Sequence, residues 1–258
     1  MNQNLYIVKA AGGNPTIIEV IENPLTRSSY EQHGRRLMGI GASYGVEQSG
    51  SLVIPKNGAL AHFEMSGGEF CGNAARSAAL ILFRLGYGTF LQFTMSGIKN
   101  PVLAEVKEND GVSIVSCTFS DLPLQLNIGE DGEKIVDLGG IVHIILFKPF
   151  PDEYEQIHKH LRDRFYLNER DAVGVLWVEK IQEEGKIQIE PVVWVRSIET
   201  FFHETSCGSG SIATAIAVGV SEVEVVQPTG ESIFVKVDHQ TVTLISTMEV
   251  TQNVPSYS

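Results

Sequence analysis

The sequence predicts an α+β fold of two pseudo-symmetric domains, each a sheet wrapped around one central helix, with the active site in the cleft between them. Three observations carry this. A Cys-Gly motif ahead of an Ala-rich helical stretch occurs twice, at Cys71 and at Cys207, 136 positions apart in a chain of 258. Each motif is followed by a similar turn and strand. Most of what lies between is short, β-branched or aromatic runs bounded by Gly, Pro or Asn, which is the signature of strands.

In order, the first half offers strands at Leu5–Val8, Thr16–Val20, Ser51–Ile54, His62–Met65, Pro101–Val106 and Gly111–Phe119. Helical spacing appears at Tyr30–Gly39 and Ala74–Gly86. Leu122–Leu126, with Pro123, reads as a linker. The second half offers strands at Val136–Leu138, His143–Phe147, Gly174–Val178, Lys186–Ile189, Ser232–Val237 and Thr241–Ser246, and helices at Asp152–Arg164 and Gly210–Gly219. The expected division is 1–121, carrying Cys71, and 122–246, carrying Cys207, with a final strand near 247–258 returning to the first domain.

The repeat itself is Glu69-Phe70-Cys71-Gly72-Asn73-Ala74-Ala75-Arg76 against Thr205-Ser206-Cys207-Gly208-Ser209-Gly210-Ser211-Ile212. Phe93-Thr94-Met95-Ser96-Gly97 answers Val226-Gln227-Pro228-Thr229-Gly230 behind it.

Composition narrows the function. A net charge of −12 argues against a nucleic-acid or anionic-membrane partner, either of which needs a basic patch. The apolar runs Ile141–Phe147 and Ala213–Val220 are too short to span a bilayer, and no secretory leader opens the sequence. Three cysteines do not make a disulfide framework, so a cytoplasmic protein with reduced thiols is expected. No His, Cys or Asp cluster has zinc-ligand spacing, and neither metal nor cofactor is expected. Gly39-Ile40-Gly41-Ala42 lacks the residues of a phosphate loop and reads as a turn.

The chemistry follows from where the cysteines stand. A helix N-terminus presents unpaired N–H groups and partial positive charge, which favours a thiolate and lowers a thiol pKa toward neutrality. It also holds a carboxylate. Gly72 and Gly208 let a ligand approach the backbone, and Asn73 and Ser209 add polar partners. Two such helix starts facing one another would hold an amino-acid carboxylate with a sulfur on either side of Cα. One thiolate removes the α-proton and the opposite thiol returns one. The N–H groups stabilise the enolate-like carboxylate formed between the two steps. Cys117, mid-strand, reads as core. His158 and His160 read as solvated, and Arg76 as structural.

At Ser66-Gly67-Gly68-Glu69-Phe70-Cys71-Gly72-Asn73-Ala74-Ala75-Arg76 and Glu204-Thr205-Ser206-Cys207-Gly208-Ser209-Gly210 the sequence resembles the diaminopimelate epimerase family. That family consists of pyridoxal-independent enzymes with two related domains and a two-cysteine mechanism. Gly13-Asn14, Glu47-Gln48 and Gly139 to His143 also fall where it places polar site residues. The departures are at its distal amino-acid reader. Thr200 stands for an Arg beside Glu199, Leu176 for an Asn, Phe63 or a neighbour for another, and the Asn near Gly140 is absent. A charged distal end would be left among unpaired apolar groups at a cost of several kcal/mol.

The match is closer to the histidine racemases of opine-type metallophore biosynthesis, which share Met65-Ser66-Gly67-x-Glu69-Phe70-Cys71-Gly72-Asn73-Ala74, Glu47-Gln48-x-Gly50 and Gln227-Pro228-x-Gly230. This resemblance implies interconversion of L- and D-histidine and a homodimer. It implies Asn14, Glu47, Gln48 and Glu199 as substrate-binding residues beside Gly72, Asn73, Gly208 and Ser209. Competing readings are a racemase or epimerase of another amino acid (diaminopimelate included), an isomerase of a non-amino-acid substrate, a Cys–His hydrolase built on Cys207 and His203, and a non-catalytic carboxylate-binding module.

Overall fold

The computed structural model describes residues 4–180 and 185–253. Its first half runs β1 (Leu5–Ala10), β2 (Gly13–Ile21), α1 (Arg27–Gly41), β3 (Gln48–Val53), β4 (His62–Met65), α2 (Gly72–Arg84), β5 (Phe90–Met95), β6 (Val102–Asn109) and β7 (Val112–Ser120). The second runs β8 (Gln125–Ile128), β9 (Lys134–Asp137), β10 (Val142–Leu146), α3 (Tyr154–Arg164), β11 (Ala172–Lys180), β12 (Lys186–Val195) and β13 (Thr200–His203). It closes with α4 (Gly208–Val218), β14 (Glu222–Val226), β15 (Ser232–Asp238) and β16 (Thr241–Asn253).

The two halves repeat one pairing scheme. Strands β1 to β7 pair in chain order, with β2–β3 and β4–β5 parallel and the remaining pairs antiparallel. In the second half β10–β11 and β12–β14 are parallel, while β9–β10, β11–β12, β14–β15 and β15–β16 are antiparallel. Helices α1 and α3 bridge one parallel pair in each half, and α2 and α4 bridge the other. Each is the crossover that a parallel pair requires.

Strand β16 is common to both. Thr241–Met248 pairs β7, Thr241–Ile245 pairs β15, and the stretch from Met248 onward pairs β1. Strands β1 to β7 and β16 therefore close a ring, which removes free edges. The part of the expected final strand at 254–258 lies outside the described residues.

Helix α2 fills that ring. Every residue from Gly72 to Leu82 is buried, an arrangement that small side chains permit because strands surround the helix on all sides. Helix α4 is equally enclosed, with Gly208–Ala215 buried. Both start two residues before the expected Ala74 and Gly210, because the cysteines themselves are the N-caps.

Strands β5, β8, β13 and β14 were not expected from sequence. Two of them are four residues long, too short to show a period, and β8 begins inside the presumed linker, at Gln125. Residues 39–41 are the last turn of α1 rather than a free loop. His158, expected in solvent, is fully buried where α3 packs on β11 and bonds the Val173 carbonyl at 3.1 Å.

Candidate active site

The two cysteines adopt nearly the same backbone, φ −134° and ψ 112° at Cys71, φ −138° and ψ 105° at Cys207. Each Sγ accepts from the N–H three residues on, Ala74 at 3.4 Å and Gly210 at 3.3 Å, so each thiol caps its own helix. The two helix starts touch. A Cβ placed on Gly72 would lie 3.2 Å from the Gly208 carbonyl carbon, and one on Gly208 would lie 3.0 Å from that of Gly72. Only glycine at both positions allows this approach.

Asn73 joins the two turns. Its Nδ2 donates to the Ser206 carbonyl at 2.9 Å, and its Oδ1 accepts from Arg76. Arg76 can only donate and a carbonyl can only accept, so the amide orientation is fixed. On the other side Ser209 Oγ bonds His143 Nε2 at 2.9 Å and lies 3.6 Å from Cys207 Sγ. Gln227 holds the start of α4, its Oε1 accepting from Cys207 N at 2.7 Å and its Nε2 donating to Ser211 Oγ and Val225 O.

Both sulfurs line one small cavity, together with Gln48, Glu69, Phe70, Asn73, Ile141, Val193, Val195, Glu204, Gly208 and Ser209. The open space is about 10 Å³, room for about one water. The site is closed, and a substrate enters only if the walls part.

A polar string runs from one sulfur to the other. The Cys71 thiol donates to Gln48 Oε1 at 3.0 Å, Gln48 Nε2 donates to Glu204 Oε1 at 2.7 Å, and Glu204 stands close enough to Cys207 for its charge to act on that thiol. Burial raises the Glu204 carboxyl to about 8, well above the usual carboxylate range, so it is mostly protonated near neutrality and its ionised form gains toward pH 8.

The expected lowering of the thiol pKa is overturned in this closed state. Burial pushes Cys71 up to about 12, with Glu204 raising it further, and pushes Cys207 well above the ordinary thiol range for the same two reasons. Two capping N–H groups do not offset full removal from water beside a carboxylate. The resting groups are thiols, and a thiolate at Cys207 requires its proton to pass to a neighbour.

The residues implied by resemblance divide. Gln48 lines the cavity. Glu47 does not. Its carboxylate accepts from Thr205 Oγ1 at 2.5 Å and Thr205 N at 3.1 Å, bracing the turn before Cys207. Asn14 is fully buried, its backbone N–H bonded to Thr205 Oγ1 at 2.6 Å and its Nδ2 without a hydrogen-bond partner. Glu199 is the correction. It sits exposed in the turn between β12 and β13 at φ 55°, away from the cavity, because four-residue β13 carries the chain back along β12 before it reaches Cys207.

Glu204 and Glu69 occupy the wall, and neither was given a role from sequence. The available signal was an acidic residue within three positions ahead of each cysteine. His203 bonds Glu190 at 2.8 Å and stacks on Phe150, with no contact to Cys207. Arg76 is fully buried, and its Nε and Nη1 have no partner. Among the described residues no group of three or more His, Cys, Asp or Glu converges as a metal site, and no helix is long and apolar enough to cross a membrane.

Comparison with known proteins gives a consistent set. A family model described as the histidine racemase CntK N-terminal domain matches residues 6–255. A histidine racemase of Fusobacterium nucleatum subsp. nucleatum is 28% identical over 194 residues, covering 66% of this chain and 68% of the relative. The histidine racemase of Staphylococcus aureus is 23% identical over 224 residues, covering 79% and 76%. Among solved structures, a predicted epimerase from Pseudomonas aeruginosa superposes with a TM-score of 0.63 at 12% identity. A phenazine biosynthesis PhzF-family protein from Enterococcus faecalis superposes with a TM-score of 0.53 at 17%. Each covers 96% of both chains, and at these identities they speak for the fold alone.

Proposed function

Because the chain belongs to the histidine racemase CntK N-terminal domain family, we propose that it interconverts L- and D-histidine by a two-base mechanism with Cys71 and Cys207 as the bases. The observation that carries the reading is that both sulfurs line one cavity, at helix starts in contact through Gly72 and Gly208.

The substrate carboxylate takes the N–H groups at the two helix starts, near Gly72, Asn73, Gly208 and Ser209. In the ionised form of Glu204, Cys207 passes its proton to that carboxylate and becomes a thiolate. The thiolate takes the α-proton, leaving the electron pair of the broken C–H bond delocalised into the carboxylate. Those N–H groups bond the developing negative charge more strongly than the ground state. The Cys71 thiol then delivers its proton to the opposite face of Cα, giving the mirror-image centre. At that point Cys207 is a thiol, Cys71 a thiolate and Glu204 protonated. The proton on Glu204 must reach Cys71 before a second turnover in the same direction. From the other enantiomer the two thiols exchange roles.

Gln48 keeps the Cys71 thiol oriented, while Glu47 and the Asn14 backbone brace Thr205. In this reading 1–121 and 122–246 move as two domains that part to admit substrate. The enzyme works as a cytoplasmic homodimer, and D-histidine feeds the biosynthesis of an opine-type metallophore.

The test is a screen of the twenty L-amino acids in deuterated water, following the α-proton by NMR and the optical activity in parallel. The reading expects both signals to be lost with histidine. Exchange with another amino acid alone would overturn the substrate, and exchange with none would overturn the racemase.

A further inference from the structure

The polar groups lining the cavity are nearly all spoken for. Gln48 is used at both ends, Asn73 is held between Arg76 and Ser206, Ser209 is bonded to His143, and Glu204 lies between Gln48 and Cys207. Glu69 is different. It is 4% exposed and lines the cavity, yet its Oε2 has no hydrogen-bond partner. The nearest cation, Arg27, is committed to Glu64, Ser66 O and Met65 O. Gly67 gives the carboxylate its place, since a Cβ there would lie 2.4 Å from Oε2 and 2.4 Å from Val195 Cγ1. Around it the wall is apolar, with Phe70, Ile141, Val193 and Val195.

We propose that Glu69 determines side-chain specificity, accepting on Oε2 a hydrogen bond from an N–H of the substrate's side chain, while the apolar wall packs on its ring. This rests on the racemase reading above and adds the group that distinguishes an imidazole from other side chains. A buried acceptor left open disfavours any side chain without a donor, because that complex keeps the carboxylate desolvated and unpaired. Burial holds Glu69 at about 7, close to the ordinary range of an imidazole. Near neutrality one proton can therefore be shared between the two groups.

The experiment compares L-histidine with thienylalanine, whose five-membered ring carries no N–H, by kcat/KM for α-proton exchange in deuterated water. The enzymes are the wild type, Glu69→Gln and Glu69→Leu. Wild type is expected to favour histidine by about 10- to 100-fold, the worth of one hydrogen bond to a charged group. In Glu69→Leu histidine falls by a similar factor while thienylalanine holds or rises, freed of the unpaired carboxylate, and Glu69→Gln, whose amide oxygen still accepts, lies between, so the preference shrinks in both and collapses in the leucine variant.

Equal losses on both substrates would overturn the proposal, by placing Glu69 with the thiols or the fold. Unchanged histidine kinetics, or a wild type without preference, would overturn it too, and each of these leaves α-proton exchange and the racemase reading standing. A wild type that exchanges no amino acid overturns both.

Discussion

Replacing Gly208 by alanine adds one methyl group at the point where the two cysteine-bearing helices meet. Its Cβ would lie 2.8 Å from Asn73 Oδ1, 3.0 Å from Asn73 N and 3.0 Å from the Gly72 carbonyl carbon. Comfortable contact between such atoms is about 3.5 Å or more, so the shortfall is about half an ångström. None of these atoms can yield cheaply. Two are backbone, and the third is pinned by Arg76 while its amide partner holds Ser206. The methyl group must therefore push the start of α4 away from the start of α2, moving Cys207 relative to Cys71. A misplacement of about 1 Å at a reacting centre costs about 100-fold, so half of that should lower kcat by about 10-fold. The fold should survive. Alanine in place of a helical glycine returns up to about 1 kcal/mol, set against about 1–3 kcal/mol of overpacking. Circular dichroism can follow racemisation and urea denaturation on one sample. A G208A variant that racemises within about twofold of wild type, when about 100-fold is the scale of a misplaced group, would show that close apposition of the helix starts is not what sets the rate.

Three further outcomes follow from the same geometry. Gln227→Ala strips the buried Cys207 N–H of its acceptor, and should cost about 1–3 kcal/mol of stability in denaturant titration. Glu204→Gln removes the group proposed to take the Cys207 proton and should lower kcat by about 100-fold with little change in folding, read from initial rates at several pH values. Stability should also depend on pH with a definite sign. His143 and His158 are held by burial at about 3 and 4, below their ordinary 6.5, so their contribution is present above 6.5 and drains away as pH falls toward 3. Glu204 and Glu69 are raised by burial to about 8 and about 7 from 4.5, so their contribution is full below 4.5 and is lost as pH rises through 7 to 8. Denaturation midpoints should form a plateau between those limits and fall on both sides, with Glu204→Gln flattening the alkaline limb.

What the sequence made legible was whatever rests on local chemistry. Cys-Gly before an Ala-rich stretch announces a capped, enclosed helix, and its repetition announces the pseudo-symmetry that the strand pairings carry out. Long, alternating strands such as β7 and β16 were readable for the same reason. What escaped is set by distance along the chain. Gln48 meets Glu204 across 156 positions and Asn73 meets Ser206 across 133, and no local pattern encodes either pairing. Glu199 was implied as a substrate-binding residue by the family resemblance, while Glu204, nearer the second cysteine, was given no role. Four residues of β13 separate them and send the first into solvent. The thiol pKa values reversed because helix-start donors are visible in sequence, whereas removal from water becomes visible only when the walls close around both sulfurs.

Two thiols acting on opposite faces of one carbon leave a distinctive kinetic mark. Cys71→Ser and Cys207→Ser should each abolish net inversion of histidine. Each should also retain α-proton exchange in deuterated water from one enantiomer only, Cys71→Ser from one hand and Cys207→Ser from the other. If either variant still inverted histidine at the wild-type rate, or if both exchanged the same enantiomer, the two-base account would be wrong.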